Sequence, residues 1–147
     1  MEFEIKEIPY GSQDYRKSLD LRNRVLRMPL GMNLYDENLE RDSKDIHIGA
    51  YHCGSLIGIL ILAKKGEDTV QMRQVAVDEA YRMKGAGKML VSFSENTARR
   101  IGYSNIVLHA RETAAPFYTK LGYAVKGDTF IEVGIPHHQM EKTFSSL

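Results

Sequence analysis

The segment Val75-Ala76-Val77-Asp78-Glu79-Ala80-Tyr81-Arg82-Met83-Lys84-Gly85-Ala86-Gly87-Lys88 concentrates the chemistry-bearing features of this chain. It reads as a strand, a short loop and glycines that open a helix, an arrangement suited to an anion. The first turn of a helix leaves its amide N–H groups unpaired, the macrodipole adds partial positive charge, and glycines let a phosphate come close to the backbone. Arg82, Lys84 and Lys88 bring mobile positive charge to the same place. Two familiar phosphate loops do not fit. The dinucleotide pattern needs a third glycine where Leu90 stands, and the nucleoside-triphosphate loop needs glycine at Arg82 and a hydroxyl residue at Met89. A glycine turn that only starts a helix is the plain alternative.

The elements that must position this segment follow from the pattern of apolar residues. Phe3 to Ile8 alternates at period two and is broken by Pro9, Gly11 and Ser12, which predicts an opening strand and a turn. Helical spacing of Tyr15, Leu19, Leu21 and Val25 predicts a helix from Gln13 to Leu26, closed by Pro29 and Gly31. Asn33 to Lys44 reads as a weaker helix or a loop. Two strands, Ile46 to Cys53 and Leu56 to Leu62, flank the turn pair Gly54-Ser55, and Thr69 to Val77 is a further strand. Ala86, Leu90, Phe93, Thr97 and Ile101 share one face of a long helix that Gly102 ends. A strand from Asn105 to Ala110, a short helix from Thr113 to Leu121, and strands near Tyr123 to Val133 and His137 to Phe144 complete the chain. The order predicts one α/β domain over residues 1–147, with helices on both faces of a twisted mixed sheet.

Composition narrows the function. The chain has 147 residues, 43% hydrophobic and 27% charged, enough for one core. Lys plus Arg number 20 against 19 Asp plus Glu, a net charge of +1, which disfavours a nucleic-acid partner. The longest apolar run, Leu56 to Ala63, is too short to span a bilayer, and Met1 to Lys6 carries charges where a secretory signal needs apolar residues. A single cysteine, Cys53, excludes an intrachain disulfide, so a reducing, cytoplasmic location is expected and no membrane partner. Adjacent His137 and His138 point to opposite faces of a strand and no ligand pair has suitable spacing, so no metal is expected.

Arg82-x-x-Gly85-x-Gly87 after a Val-x-Val strand resembles the acetyl-CoA pyrophosphate motif of the GNAT superfamily of N-acyltransferases. Ala115-Pro116-Phe117-Tyr118-Thr119-Lys120-Leu121-Gly122-Tyr123 resembles that family's Ala-x-x-Phe-Tyr-x-x-Leu-Gly-Phe segment. Leu21-Arg22-Asn23-Arg24-Val25 and Gly134-Ile135-Pro136-His137-His138-Gln139-Met140 are similar to segments of small, ElaA-like bacterial members. The resemblance is strong from Val70 to Val125. It implies a mainly antiparallel sheet in which acetyl-CoA, the co-substrate, lies between two splayed strands. Val75, Ala76 and Val77 would meet the acetyl-pantetheine arm, and the amides of Arg82, Met83, Lys84, Gly85, Ala86, Gly87 and Lys88 would hold the pyrophosphate. It further implies that an acceptor amine, a small-molecule amine or a peptide amine, attacks the thioester directly, and that related enzymes are often homodimers.

Within that resemblance Tyr118 is the candidate general acid for the departing thiolate, since a phenol can supply the proton. An amphipathic tyrosine with its ring in the core is the alternative. Several family members take the amine proton with a carboxylate on the fourth strand, yet Val70-Gln71-Met72-Arg73-Gln74 has none. Imidazoles suit the task, and position ranks His137 first and His109 second, with His47 and His52 structural. A surface histidine pair is the other reading of His137 and His138. Asp36, Glu37, Glu40, Asp42 and Asp45 could attract a cationic amine or form a solvated acidic face. The missing carboxylate leaves a non-catalytic acyl-CoA sensor as the rival to an N-acetyltransferase, and the cluster Arg82, Lys84, Lys88, Arg99 and Arg100 leaves a nucleotide binder as a second.

Overall fold

The structure, a computed structural model, describes residues 1–144; the last three positions of the expected domain lie outside the described residues. Strands β1 (Glu4–Ile8), β2 (Ile46–His52), β3 (Ser55–Lys64), β4 (Thr69–Val77), β5 (Asn105–Arg111), β6 (Ala124–Glu132) and β7 (Ile135–Thr143) form one sheet. Their order is β1-β2-β3-β4-β5-β7-β6, with β4 and β5 parallel and every other neighbouring pair antiparallel. Helix α1 (Gln13–Arg22) lies on one face, where Tyr15 and Leu21 pack on Ile59 and Ala76. Helices α2 (Ala86–Ile101) and α3 (Ala115–Lys120) lie on the other, where Leu90, Val91 and Tyr118 join Ile48, Met72 and Leu108. Each fully buried aliphatic side chain of that core contributes about 1.5–3 kcal/mol.

Local chemistry explains where the elements stop. The Ser12 hydroxyl accepts from the Tyr15 amide at 3.1 Å and caps α1. The helix expected through Leu26 is α-helical only to Arg22, then widens into a π turn over Asn23–Arg27 and a 3-10 turn over Met28–Leu30. There the Asn23 side chain accepts from the Leu34 amide at 2.8 Å and ties the turn to the following loop. Between Asn33 and Lys44 the chain makes only two 3-10 turns, Leu34–Asp36 and Glu40–Lys44, because Leu34 is its single fully buried apolar anchor. The hairpin between β2 and β3 turns on Cys53-Gly54, both at positive φ, with Ser55 already paired to His52. A two-residue turn of this kind needs positive φ at both central positions, which moves it one residue from the Gly54-Ser55 expected.

Two departures from regular pairing shape the middle of the sheet. Between Ile59↔Ala76 and Ile61↔Arg73 the β4 side carries an extra residue, a bulge at which Gln74 takes φ 54°. Pairing of β4 with β5 runs only from Thr69↔Asn105 to Met72↔Leu108.

Candidate active site

Beyond Met72 and Leu108 the two parallel strands part, and a cleft of about 750 Å³ opens between the end of β4 and the end of β5. Gln74, Val75, Ala76 and Val77 form one wall, and Tyr118 and His137 lie on others. Backbone N–H and C=O groups of β4 that would have bonded β5 are therefore turned toward a ligand space.

Arg82 borders the cleft, and the chain runs on from it through Lys88 into the first turn of α2. Gly85 is the N-cap of α2 at φ 94° and ψ −1°, and no side chain caps the helix. The first bond recorded at the helix start is the Met89 amide to the Gly85 carbonyl at 3.1 Å, so the amides of Ala86, Gly87 and Lys88 precede the ladder. Met83 also takes positive φ and is fully exposed, giving alternating backbone hands like those that turn successive N–H groups toward an anion. A Cβ on Gly87 would stand 3.3 Å from Phe117 Cζ, so this glycine also lets α2 approach α3 closely.

Tyr118 enters the cleft from α3, its ring edge-on to Phe117 at 5.0 Å and to Tyr123 at 5.9 Å. The residue is 7% exposed, and its hydroxyl makes no hydrogen bond among the described residues. Burial pushes the phenol well above its usual range, because a phenolate there would lose its hydration. The proton stays on the oxygen, which is the state a general acid needs.

His137 is buried, which settles its exposure against a surface pair. Its Nδ1 lies 2.7 Å from the Ile135 carbonyl, which can only accept, so Nδ1 carries a hydrogen and Nε2 is the ring nitrogen that gains or sheds a proton. That Nε2 faces Glu132 Oε2 at 3.7 Å, while His109 Nδ1 meets Glu132 Oε1 at 3.0 Å. Phe130 stacks beside His137 and stands edge-on to His109. Thus the first- and second-ranked histidines meet through a carboxylate that the sequence reading missed. The signal was the Val133-Gly134 turn, both residues at positive φ, which sets Phe130 opposite His137 and so puts Glu132 on the same face. No group of three or more His, Cys, Asp or Glu suited to a metal occurs among the described residues.

Three residues of the acidic run, Glu37, Asp42 and Asp45, pair with arginines, while Asp36 and Glu40 are exposed. Asp42, 1% exposed, accepts from Arg22 Nη1 and from the Tyr15 hydroxyl, each at 2.7 Å. His47 Nε2 donates to the Asp42 carbonyl at 2.9 Å, in keeping with a structural role, and Arg22 Nε reaches Gln74 Oε1 at 3.3 Å. Burial alone would raise the Asp42 carboxyl, but the bonds from Arg22 and Tyr15 outweigh it and hold the group below the usual carboxylate range.

Residues 31–144 match the acetyltransferase (GNAT) domain. The candidate acetyltransferase BSU40680 of Bacillus subtilis is 32% identical over 141 residues, covering 94% of this chain and 95% of the relative. The crystal structure of Escherichia coli ElaA has the same fold, with a TM-score of 0.80 at 22% identity over 96% of this chain and 98% of that one. A GNAT family acetyltransferase of Elizabethkingia anophelis with acetyl-CoA bound matches with a TM-score of 0.74 at 16% identity, over 97% and 98% of the two chains. No helix of the described residues is long and apolar enough to cross a membrane. The seven-stranded sheet, its parting central strands and the matched residues agree that the chain belongs to the acetyltransferase (GNAT) domain family.

Proposed function

We propose that the protein is an acetyl-CoA-dependent N-acetyltransferase in which an acceptor amine attacks the thioester directly. The observation that carries this reading is the parting of β4 and β5 beside an unpartnered, protonated Tyr118 hydroxyl. Val75, Ala76 and Val77 receive the acetyl-pantetheine arm, and the rim from Arg82 to Lys88 takes the pyrophosphate. An amide near Val75 faces the oxyanion that develops at the carbonyl, where a fixed donor acts on charge that exists only in the transition state.

The proton accounting then closes. The amine nitrogen forms the C–N bond, His137 Nε2 accepts the proton that nitrogen sheds, and Glu132 steadies the imidazolium. The C–S bond breaks and the thiolate takes the Tyr118 proton, which water returns from the histidine side. CoA leaves as the free thiol and the amine as an acetamide. A reducing, cytoplasmic setting fits the single free thiol, Cys53.

Calorimetry with acetyl-CoA, CoA and ATP tests the reading. At Gly85 the added Cβ of Gly85→Ala meets nothing within 4 Å, so its effect is backbone strain at φ 94° alone. Left-handed strain of about 1–2 kcal/mol corresponds to a loss of roughly 5–30-fold in CoA affinity if binding needs this loop shape. Selective CoA binding weakened in the variant supports the proposal. Absence of CoA binding overturns it, and CoA binding without turnover of any amine favours an acyl-CoA sensor.

A further inference from the structure

Five basic side chains border the cleft apart from the pyrophosphate rim: Arg27, Arg41, Lys65, Arg73 and Arg111. The single carboxylate on its wall is Glu132, already engaged with His109 and His137. Two of the five are neutralised from outside, Arg27 by Glu37 at 2.7 Å and Arg73 by Asp45 at 3.6 Å. Arg41, Lys65 and Arg111 make no ion pair among the described residues.

The Arg73 pair is itself incomplete. Arg73 Nη1 and Asp45 Oδ2 are both buried without a hydrogen-bond partner, and the gap between them is too long for one. Burial, then the nearby Arg41 charge, pushes the Arg73 guanidinium below its usual range. Two guanidinium groups therefore crowd one carboxylate at the edge of an open cleft, and an incoming anion beside Arg41 would relieve the repulsion.

Register places this charge on the acceptor side. Met72 lies in the core beneath α2, so its neighbour Arg73 faces the opposite side of β4. Arg111 sits opposite His137 in the β5–β7 ladder and shares its face. A cleft lined by one sign of charge raises the local concentration of an oppositely charged ligand, and guanidinium forks match carboxylate and phosphate oxygens.

We propose that the acceptor is an anionic amine, one that carries a carboxylate or a phosphate, with its acid group received by Arg41 and Lys65 on the Arg73 side of the cleft. The identity of the reacting group rests on the acyltransferase reading above; the preference for an anion is measurable without turnover. It also reverses the polarity suggested by the acidic run Asp36 to Asp45, whose members Glu37, Asp42 and Asp45 answer Arg27, Arg22 and Arg73.

The test is calorimetry on the protein saturated with CoA, so that no reaction occurs, using four short amines: β-alanine, phosphoethanolamine, ethylamine and putrescine. At least one acid-bearing probe should bind about tenfold or more tightly than ethylamine, and the stronger of the two identifies the acid. Its advantage should shrink as salt rises. The double variant Arg41→Gln, Lys65→Gln should lose most of the advantage while its thermal unfolding and CoA affinity stay unchanged. Should that variant fold poorly, Arg111→Gln is the second probe and should weaken the acids in the same direction. Equal or tighter binding of ethylamine or putrescine overturns the inference, as does absence of acid binding when CoA binds. Acid binding that survives a failure to bind CoA would support the anion site while refuting the acyltransferase reading.

Discussion

Tyr118→Phe separates catalysis from packing more cleanly than any other substitution in the cleft. The ring is held edge-on by Phe117 and Tyr123, and phenylalanine keeps those contacts. The hydroxyl donates to no described residue, so its removal orphans no partner. Stability should therefore change by less than about 1 kcal/mol, the scale of one ordinary hydrogen bond. That is a midpoint shift of about 4 °C or less in thermal unfolding. A positioned acid supplies about 10²–10⁴ in rate, or roughly 2.7–5.4 kcal/mol of barrier, so kcat should fall by that factor. The assay is initial rate at saturating acetyl-CoA with an acceptor that the binding comparison selects, beside calorimetry for acetyl-CoA affinity, which should hold. Turnover within about threefold of the parent across the pH range would refute the assignment, because no loss would remain for the acid to explain. A large drop in thermal midpoint would instead return Tyr118 to the core.

Asp42→Ala strands Arg22 and the Tyr15 hydroxyl in a site where the two charged side chains are 3% and 1% exposed, and should cost about 3–5 kcal/mol in denaturant unfolding. Because the folded Asp42 carboxyl lies below its unfolded value of about 3.9, its stabilisation is complete above that pH and is lost as pH falls through the folded value. Asp42→Asn should flatten that acid limb of the stability profile; an unchanged limb would show that other carboxylates set it. Glu132→Gln keeps the shape beside His109 and His137 but removes the charge that steadies an imidazolium, so kcat should fall about tenfold and its pH profile should move. An unchanged profile would remove Glu132 from the proton path, and an unchanged acetyl-CoA KM would separate this effect from cofactor binding.

How much of this was legible in the sequence depends on whether the signal was local. The glycine pair at the start of α2 and the Phe117-Tyr118 to Gly122-Tyr123 segment are contiguous, and their backbone needs are written in their residue types. The two strands near the end of the chain followed from alternation, but their order beside β5 did not. The cationic wall could not be read that way. Arg41, Lys65, Arg73 and Arg111 come from four separate stretches, and only the sheet gathers them. The pairing of the acidic run was hidden for the converse reason: Glu37, Asp42 and Asp45 are near neighbours in sequence but answer arginines on different elements. The bulge at Gln74 left no mark either, since glutamine has no preference that announces a positive φ.

That bulge joins the buried network to the end of β4 that walls the cleft. Arg22, held by Asp42, reaches through Nε to the Gln74 side chain, and Gln74 immediately precedes Val75. A non-glycine residue at φ 54° costs about 1–2 kcal/mol, and the bond from Arg22 returns about 1 kcal/mol of it. Gln74→Gly removes both terms, so stability should stay within about 1 kcal/mol of the parent or rise slightly. Under the proposed mechanism glycine also frees the backbone that aims the Val75 amide, and misaimed donors lose the part of their effect that exists only in the transition state. The expected signature is a kcat lowered about tenfold with an unchanged KM for acetyl-CoA and an unchanged thermal midpoint. Full kcat in Gln74→Gly would mean that the bulge is held by its neighbours in β3 and that the path from Asp42 through Arg22 ends in the core.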